Sequence, residues 1–209
     1  ACAPFRRLHL CHHNLETIET KSMTSTDTLL AEVCMAAKYE GGSIKTDYTP
    51  HQEKYNDTGT ASQLCTVLAR SFADIGDIVR GKDLFLGNDE EKKQRKQLDD
   101  KLKTIFGNIY EELSRTNGRN GAEELQKRYK DGKDPDFFKL REDWWYANRA
   151  TVWKAITCEA KTDDKYFRKT CAGGTSPTQT QNNCHCINGD VPTYFDYVPQ
   201  YLRWFEEWA

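Results

Sequence analysis

Residues 141–158 read R-E-D-W-W-Y-A-N-R-A-T-V-W-K-A-I-T-C and hold Trp144, Trp145 and Trp153, three of the chain's five tryptophans. Phe138, Leu140, Trp145, Val152 and Ile156 recur at helical intervals, with Trp144 and Ala155 beside them. Asp134 followed by Pro135 reads as an N-cap and first helical residue. The spacing predicts one helix from there to Thr157, about 35 Å long at about 1.5 Å per residue. A helix with that much aromatic area needs other helices around it. Arg141, Asn148 and Arg149 fall close to the same face, either as buried hydrogen-bonded groups or as the rim of a packed seam. On these residues alone, the stretch is a structural spine.

The flanking sequence supplies the other helices. Asp27 to Tyr39 carries Leu29, Leu30, Val33, Cys34 and Ala37 as a stripe, with Gly41-Gly42 as its stop. Cys34 is expected to pin that helix to a neighbour. Ser43 to Tyr55 reads as a short helix interrupted near Pro50. Thr60 to Val79 opens on a Thr60/Gln63 capping box and keeps Leu64, Val67, Leu68, Phe72, Ile75 and Val79 on one face, with Gly81 closing it. Asp89 to Ser114, capped by Asn88, turns Leu98, Leu102, Ile105, Phe106, Ile109 and Leu113 inward. Glu91 with Arg95, and Asp99 with Lys103, are spaced for i,i+4 pairs. Asn117 to Gly121 reads as a turn and Ala122 to Tyr129 as a short helix. Cys158 to Pro192 reads as an exposed, stapled loop, and Asp196 to Ala209 as a last helix. Cys2 to Asn14 is irregular, with Arg6, Arg7, His9, His12 and His13 giving it basic character. Asn56-Asp57-Thr58 is a glycosylation sequon. Strand signals are almost absent and no internal repeat is visible.

Composition narrows the function classes. Apolar residues make up 37 % and charged residues 30 %, while five Trp, ten Tyr and nine Phe supply buriable area, so the chain folds. The net charge of −2 gives no global pull toward nucleic acid or anionic lipid. Any polyanion site is therefore a local patch. The eight cysteines fall in two groups: Cys2, Cys11, Cys34 and Cys65, then Cys158, Cys171, Cys184 and Cys186. That clustering suggests local staples on either side of a helical middle, and an oxidising compartment. Eight cysteines allow 105 pairings, so none is assigned. Cys11-His12-His13 and Cys184-His185-Cys186 raise a zinc reading, but no C-x2-C pair accompanies them. We expect no metal and no cofactor. No nucleophile elbow, P-loop, H-E-x-x-H or dinucleotide fingerprint is present. Catalysis would rest on Cys11 beside His12 or His13, so a non-enzyme is expected. No signal peptide or membrane-length apolar run appears, and both ends read as cut from a larger protein.

Three further stretches carry a resemblance: A-C-A-P-F-R-R-L-H-L-C at 1–11, D-I-G-D-I-V-R-G-K-D-L-F at 74–85, and P-T-Y-F-D-Y-V-P-Q-Y-L-R-W-F-E-E-W at 192–208. With the tryptophan helix, they closely resemble the alpha-class Duffy-binding-like domain of the Plasmodium falciparum erythrocyte membrane protein 1 family. The resemblance implies a mostly α, disulfide-stapled helical bundle holding the first two subdomains of three, residues 1–83 and 84–209. A third subdomain and a neighbouring cysteine-rich interdomain region would lie beyond Ala209, and some cysteines would pair there. It implies a variant surface antigen of the infected erythrocyte, extracellular and anchored elsewhere in the parent protein. The expected partners are a host receptor on red cells or endothelium, a sulfated or blood-group glycan as in rosetting, the adjacent interdomain region, and host antibodies. Nucleic acid is not among them. The alternative is a spacer that positions that neighbour, with Tyr201, Trp204, Phe205 and Trp208 packing on it. For a sulfated glycan the candidate cations are Lys161, Lys165, Arg168 and Lys169 between the cysteines, ahead of Lys92, Lys93, Arg95 and Lys96 on the basic helix start.

Overall fold

The computed structural model describes residues 2–11, 13–20, 25–55, 64–116, 118–129, 134–172 and 176–208. The sequon, the Thr60/Gln63 capping box and His12 lie outside them. The elements run α1 Phe5–Leu8, α2 His13–Glu16, α3 Thr26–Tyr55, α4 Leu64–Arg80, α5 Asp89–Thr116, α6 Gly118–Tyr129, α7 Phe138–Ile156, a 3-10 turn Phe195–Tyr197, and α8 Gln200–Trp208. Among the described residues there is no strand, only an isolated bridge between Cys171 and Thr178. No described helix is long and apolar enough to cross a membrane.

The tryptophan helix is the spine its sequence suggests. α7 lies across α3 and α4 and buries Leu140, Trp144, Trp145, Val152, Trp153 and Ile156. Phe72 of α4 sits between two of these indoles, with centroids 5.1 Å from Trp145 and 5.2 Å from Trp153. Phe106 of α5 meets Trp144 edge-on at 6.1 Å. Such pairs add about 0.5–1.5 kcal/mol each beyond burial. Core residues on both sides of position 83, among them Phe72, Phe106 and Trp145, form one cluster.

Several boundaries move. α7 begins at Phe138 rather than Pro135, because Phe137 takes a left-handed conformation at φ 58°. Asp134 still caps it from outside the helix, its carboxylate accepting from the amides of Phe138 and Lys139, both at 2.9 Å. Phe138 is exposed rather than in the core, and Trp153, outside the expected stripe, is fully buried. α6 starts at Gly118, earlier than Ala122. The final segment splits at Pro199 into the 3-10 turn and α8. Gly41-Gly42 does not end α3, which continues to Tyr55. Its glycines mark a crossing instead: a Cβ on Gly41 would lie 1.9 Å from the carbonyl oxygen of Ile156 at the end of α7. Gly76 on α4 does the same under the indole of Trp145, at 2.6 Å. The cap of α5 is as expected and reciprocal, Glu91 N donating to Asn88 Oδ1 at 2.9 Å and Asn88 N to Glu91 Oε2 at 2.7 Å.

The disulfides correct the expectation of purely local staples. Cys171 pairs with Cys186, 15 residues away, but Cys65 pairs with Cys184 across 119 residues, tying α4 to the distal loop. Cys2, Cys11, Cys34 and Cys158 are free thiols, so Cys34 pins nothing. Cys184 is buried, and its carbonyl accepts from the indole N–H of Trp153 at 3.2 Å. The long bridge therefore closes over the spine. Replacing both partners, Cys65→Ser with Cys184→Ser, is expected to cost about 2–5 kcal/mol of unfolding free energy. Urea unfolding of oxidised protein measures this.

Candidate functional site

α4 repeats acidic and basic residues along one side: Asp74, Asp77 and Arg80, all buried. A buried ion needs a partner and further hydrogen bonds, and the partners come from both ends of the chain. Asp74 holds Arg6 at 2.8 Å and Arg203 at 2.7 Å. Asp77 holds Arg80 at 2.9 Å and also Arg203. Arg203 of α8 further donates to the carbonyl of Val198 at 2.6 Å. Asp83 receives Arg7 at 2.7 Å and Arg95 of α5. Gln200 bridges the two acids, donating to Asp74 at 3.2 Å and to Asp83 at 2.7 Å, while its oxygen accepts from Leu84 N at 2.6 Å.

The spine joins the same lattice. Asp196 is buried and accepts from Arg149 at 2.7 Å and from the indole of Trp145 at 2.9 Å. Arg80 reaches Glu142 at 3.1 Å, and Arg141 donates to the carbonyl of Val79 at 2.7 Å and to Asp99 at 2.8 Å. Of the residues with two alternatives, Arg141 is thus a buried hydrogen-bonded group, while Arg149 and Asn148 are half-buried, Asn148 donating to the carbonyl of Trp144 at 2.8 Å. The three sequence stretches and the tryptophan helix are therefore one physical object, an ionic lattice under the helical core.

The lattice sets its own ionisation. Burial opposes the charge on Asp74, yet Arg6 and Arg203 hold its carboxyl below the usual range. Burial pushes Asp77 up to about 6, against the pull of Arg203 and Arg80. An unfolded aspartate titrates near about 3.9, so the folded chain takes up a proton that the unfolded chain does not. That contribution is fully present below about 3.9 and is lost as pH rises through about 6. Between pH about 7 and about 5 the protein should gain stability relative to Asp77→Asn. Parallel pH profiles of the two in urea unfolding would contradict this.

The cations expected to meet a ligand separate into two groups. Lys161, Lys165, Arg168 and Lys169 are all exposed, in the segment after α7. The segment is held from within. Asp164 accepts from Lys161 N at 2.7 Å, and its carbonyl accepts from Cys184 N at 3.0 Å. Tyr166 N donates to Thr180 Oγ1 at 2.9 Å, and its hydroxyl bonds Thr193 Oγ1 at 3.2 Å. Cys171–Cys186 fixes one end; the other rests on these bonds, since Cys158 is free. Lys92, Lys93 and Lys96 are exposed on α5, but Arg95 is half-buried on Asp83 and over the ring of Phe85 at 4.9 Å. Burial, with Arg7 beside it, lowers Arg95 to about 10. Sequence reasoning missed Arg6, Arg7 and Arg203 as lattice members. The available signal was their place inside the same stretches as Asp74, Asp77 and Asp83.

The cysteines of the two Cys-His clusters are occupied or muted. The Cys11 thiol is pushed up to about 11 by burial and by Glu40, whose carboxylate accepts from Cys11 N at 2.9 Å. Cys184 and Cys186 are both in disulfides, and His185 bonds Thr157 at 2.8 Å. Among the described residues no group of three or more His, Cys, Asp or Glu is placed to hold a metal.

Comparison with known proteins gives the family. The family model described as the Duffy binding domain matches residues 1–203. Curated protein sequences show no match. A solved NTS-DBL1(alpha-1) domain of Plasmodium falciparum membrane protein 1 (PfEMP1), varO strain, is 42 % identical with a TM-score of 0.76, covering 100 % of this chain and 43 % of that one. The N-terminal NTS-DBL1-alpha and CIDR-gamma double domain of the same P. falciparum strain is also 42 % identical, with a TM-score of 0.80, covering 100 % and 27 %. The DBLbeta domain of the PfEMP1 IT4var13, solved bound to ICAM-1, is 32 % identical with a TM-score of 0.66, covering 99 % and 43 %. The chain spans less than half the length of these solved chains. The motifs, the mostly helical fold and the match over residues 1–203 lead to one conclusion: the chain belongs to the Duffy binding domain family, and its likeness is to the alpha-class Duffy-binding-like domains of PfEMP1.

Proposed function

We propose that this chain is part of a host-cell adhesion domain of a variant parasite surface antigen, displayed outside the infected erythrocyte, and that it binds a sulfated glycan or a receptor on red cells without catalysing a reaction. The observation that carries this is the division of charge. The buried and half-buried arginines are committed to Asp74, Asp77, Asp83, Asp99 and Asp196, while Lys161, Lys165, Arg168 and Lys169 face solvent on a segment tied down by Asp164, Tyr166 and Cys171–Cys186. A fixed cluster of cations meets a polyanion with little ordering cost, and its attraction is screened by salt. The ICAM-1 complex of the DBLbeta relative supports receptor binding as a use of this fold. A Cys11 thiol that stays protonated at neutral pH supports the non-catalytic part.

A second reading has its own observation. Trp204 is buried, contrary to the expectation that it packs on a neighbour, but Tyr201, Leu202, Phe205 and Trp208 leave an exposed apolar face on α8, with Phe205 at 69 % and Trp208 at 61 % exposure. Such a face suits a spacer that seats a neighbouring domain, and one relative carries a CIDR-gamma domain in the same chain. The test is binding of oxidised protein to heparin and to uninfected red cells across a salt series. Adhesion predicts retention at low salt that falls steeply as salt rises. No retention of folded protein at low salt would favour the spacer.

A further inference from the structure

We propose that Asn188 is a site of self-modification: the backbone nitrogen of Gly189 attacks the Asn188 side-chain amide and expels ammonia, so that a neutral residue in the loop after Cys186 becomes an aspartate or isoaspartate, with the Cys171–Cys186 bridge as the brake on the reaction. The chemistry needs water and no enzyme. Its consequence for adhesion rests on the reading above; the modification does not.

Asn188 is exposed, and the glycine after it leaves the approach open. Gly189 sits at φ 81°, in the left-handed region that its missing Cβ permits, and nothing lies within 4 Å of where a Cβ would stand. The Asn188 side chain is folded back along the chain. Its Oδ1 accepts from Asp190 N at 3.2 Å, the turn in which an asparagine side chain mimics the backbone. That turn brings Cγ over the Gly189 peptide. It also aims an N–H at the oxygen that turns negative when Cγ is attacked. Nδ2, the leaving nitrogen, is held by the Asp190 carboxylate.

The step balances with water alone. Water or hydroxide takes the Gly189 amide proton, and the bond from Gly189 N to Asn188 Cγ forms. The Cγ–Nδ2 bond breaks, and Nδ2 takes a proton from solvent and leaves as ammonia. Water then opens the succinimide ring at one of its two carbonyls. One opening gives aspartate; the other gives isoaspartate, in which the chain runs through Cγ. A single hydrogen bond opposes the first step. Gly189 N donates to Cys186 O at 2.9 Å, and Cys186 is fixed by its disulfide to Cys171. The amide proton is therefore given up only when this turn opens. The new charge lands beside the cations. Cys171 bridges to Cys186 and Thr170 Oγ1 donates to Pro192 O at 2.5 Å, so the loop is tied at both ends to the stretch that follows Lys169. A carboxylate at 188 subtracts from the positive charge there, and Asp190 then faces a like charge where it had a donor.

The test incubates the oxidised chain at neutral pH and body temperature and follows position 188 by peptide mapping with mass spectrometry, which separates it from the Asn-Gly pairs at 117 and 120. Asn188 is expected to convert, with aspartate and isoaspartate both present, faster than Asn182, which is exposed but followed by Asn183. Asn188→Gln should leave the position unmodified, because its ring would need a sixth member. Cys171→Ser with Cys186→Ser should speed conversion by up to about tenfold, the worth of one backbone hydrogen bond. A folded chain unchanged at 188 under conditions that convert the urea-unfolded chain overturns the site. A rate in the double serine variant equal to the parent's overturns the brake. Anion exchange then isolates the converted form, and its heparin retention is compared with the parent's at one salt concentration. Weaker retention supports the consequence for adhesion, and equal retention overturns it. If Asn188 converts while neither form is retained, the modification stands and the adhesion reading fails. If the parent is retained while Asn188 does not convert, the modification fails and the adhesion reading stands.

Discussion

Arg203→Ala should lower the unfolding free energy by about 3–5 kcal/mol, the range for removing one partner of a buried ion pair. For a chain of this size, that is a drop in melting temperature of about 6–20 °C. The effect is large because Arg203 serves two acids at once. Its guanidinium reaches Asp74 and Asp77, both buried, and it also takes the carbonyls of Val198 and Phe195 ahead of α8. Without it Asp74 retains Arg6, Asp77 retains Arg80, and two carboxylates face each other with one cation fewer between them. Arg203→Met tests whether the loss is charge or volume: it restores most of the bulk and leaves the acids uncompensated, so it should rescue little. Thermal unfolding followed by circular dichroism gives both values. A loss below about 1 kcal/mol for Arg203→Ala would mean that the lattice is not what holds α8 on α4.

Gly41→Ala should be the second large effect, and here two principles predict opposite signs. Alanine is the better helix former by about 0.8–1 kcal/mol, so by propensity the change stabilises α3. The crossing says otherwise. The new methyl would stand 1.9 Å from Ile156 O and 2.9 Å from Ile156 C, both backbone atoms of α7 that cannot swing aside. Overpacking of that kind costs about 1–3 kcal/mol and more where backbone must move, so a net loss of about 2–3 kcal/mol is expected. Gly42→Ala is the control one residue on. Its nearest neighbour is the end of the Glu159 side chain at 3.4 Å, which can move, so propensity should win and the protein should hold or gain up to about 1 kcal/mol. Equal behaviour of the two variants in urea unfolding would contradict this account of the crossing.

This pair also shows where local sequence reading stops. Two adjacent glycines after an apolar stripe carry the signature of a helix end, and nothing local tells it from the signature of a close crossing. Only the partner, Ile156, about a hundred residues on, decides it. The same limit explains the cysteines. Spacing groups Cys171 with Cys184 and Cys186, and one local bridge forms there, but Cys65–Cys184 depends on α4 lying under the distal loop. Features set within one or two turns were legible: the α7 stripe, the Asn88/Glu91 cap, and Asp134 as a cap even though the helix starts later than expected. Arg95 shows the cost of reading charge by neighbourhood. Among Lys92, Lys93 and Lys96 it looks like one more solvated cation, yet its fork and stacking surface suit it to Asp83 and Phe85. Arg6, Arg7 and Arg203 were hidden by the same habit of placing charges outside. They lie within the stretches that carry the family resemblance and tie those stretches to one another, Arg6 and Arg203 on Asp74 and Arg7 on Asp83.

The central claim is that frame and contact surface are separate sets of residues. The measurement that tests it most directly pairs heparin retention with thermal unfolding on one preparation of Lys165→Ala with Arg168→Ala and Lys169→Ala. The account predicts a melting temperature within about 2 °C of the parent, since exposed cations away from packing contribute little, together with loss of salt-sensitive retention. Undiminished retention, or a melting temperature that falls with it, would contradict the separation.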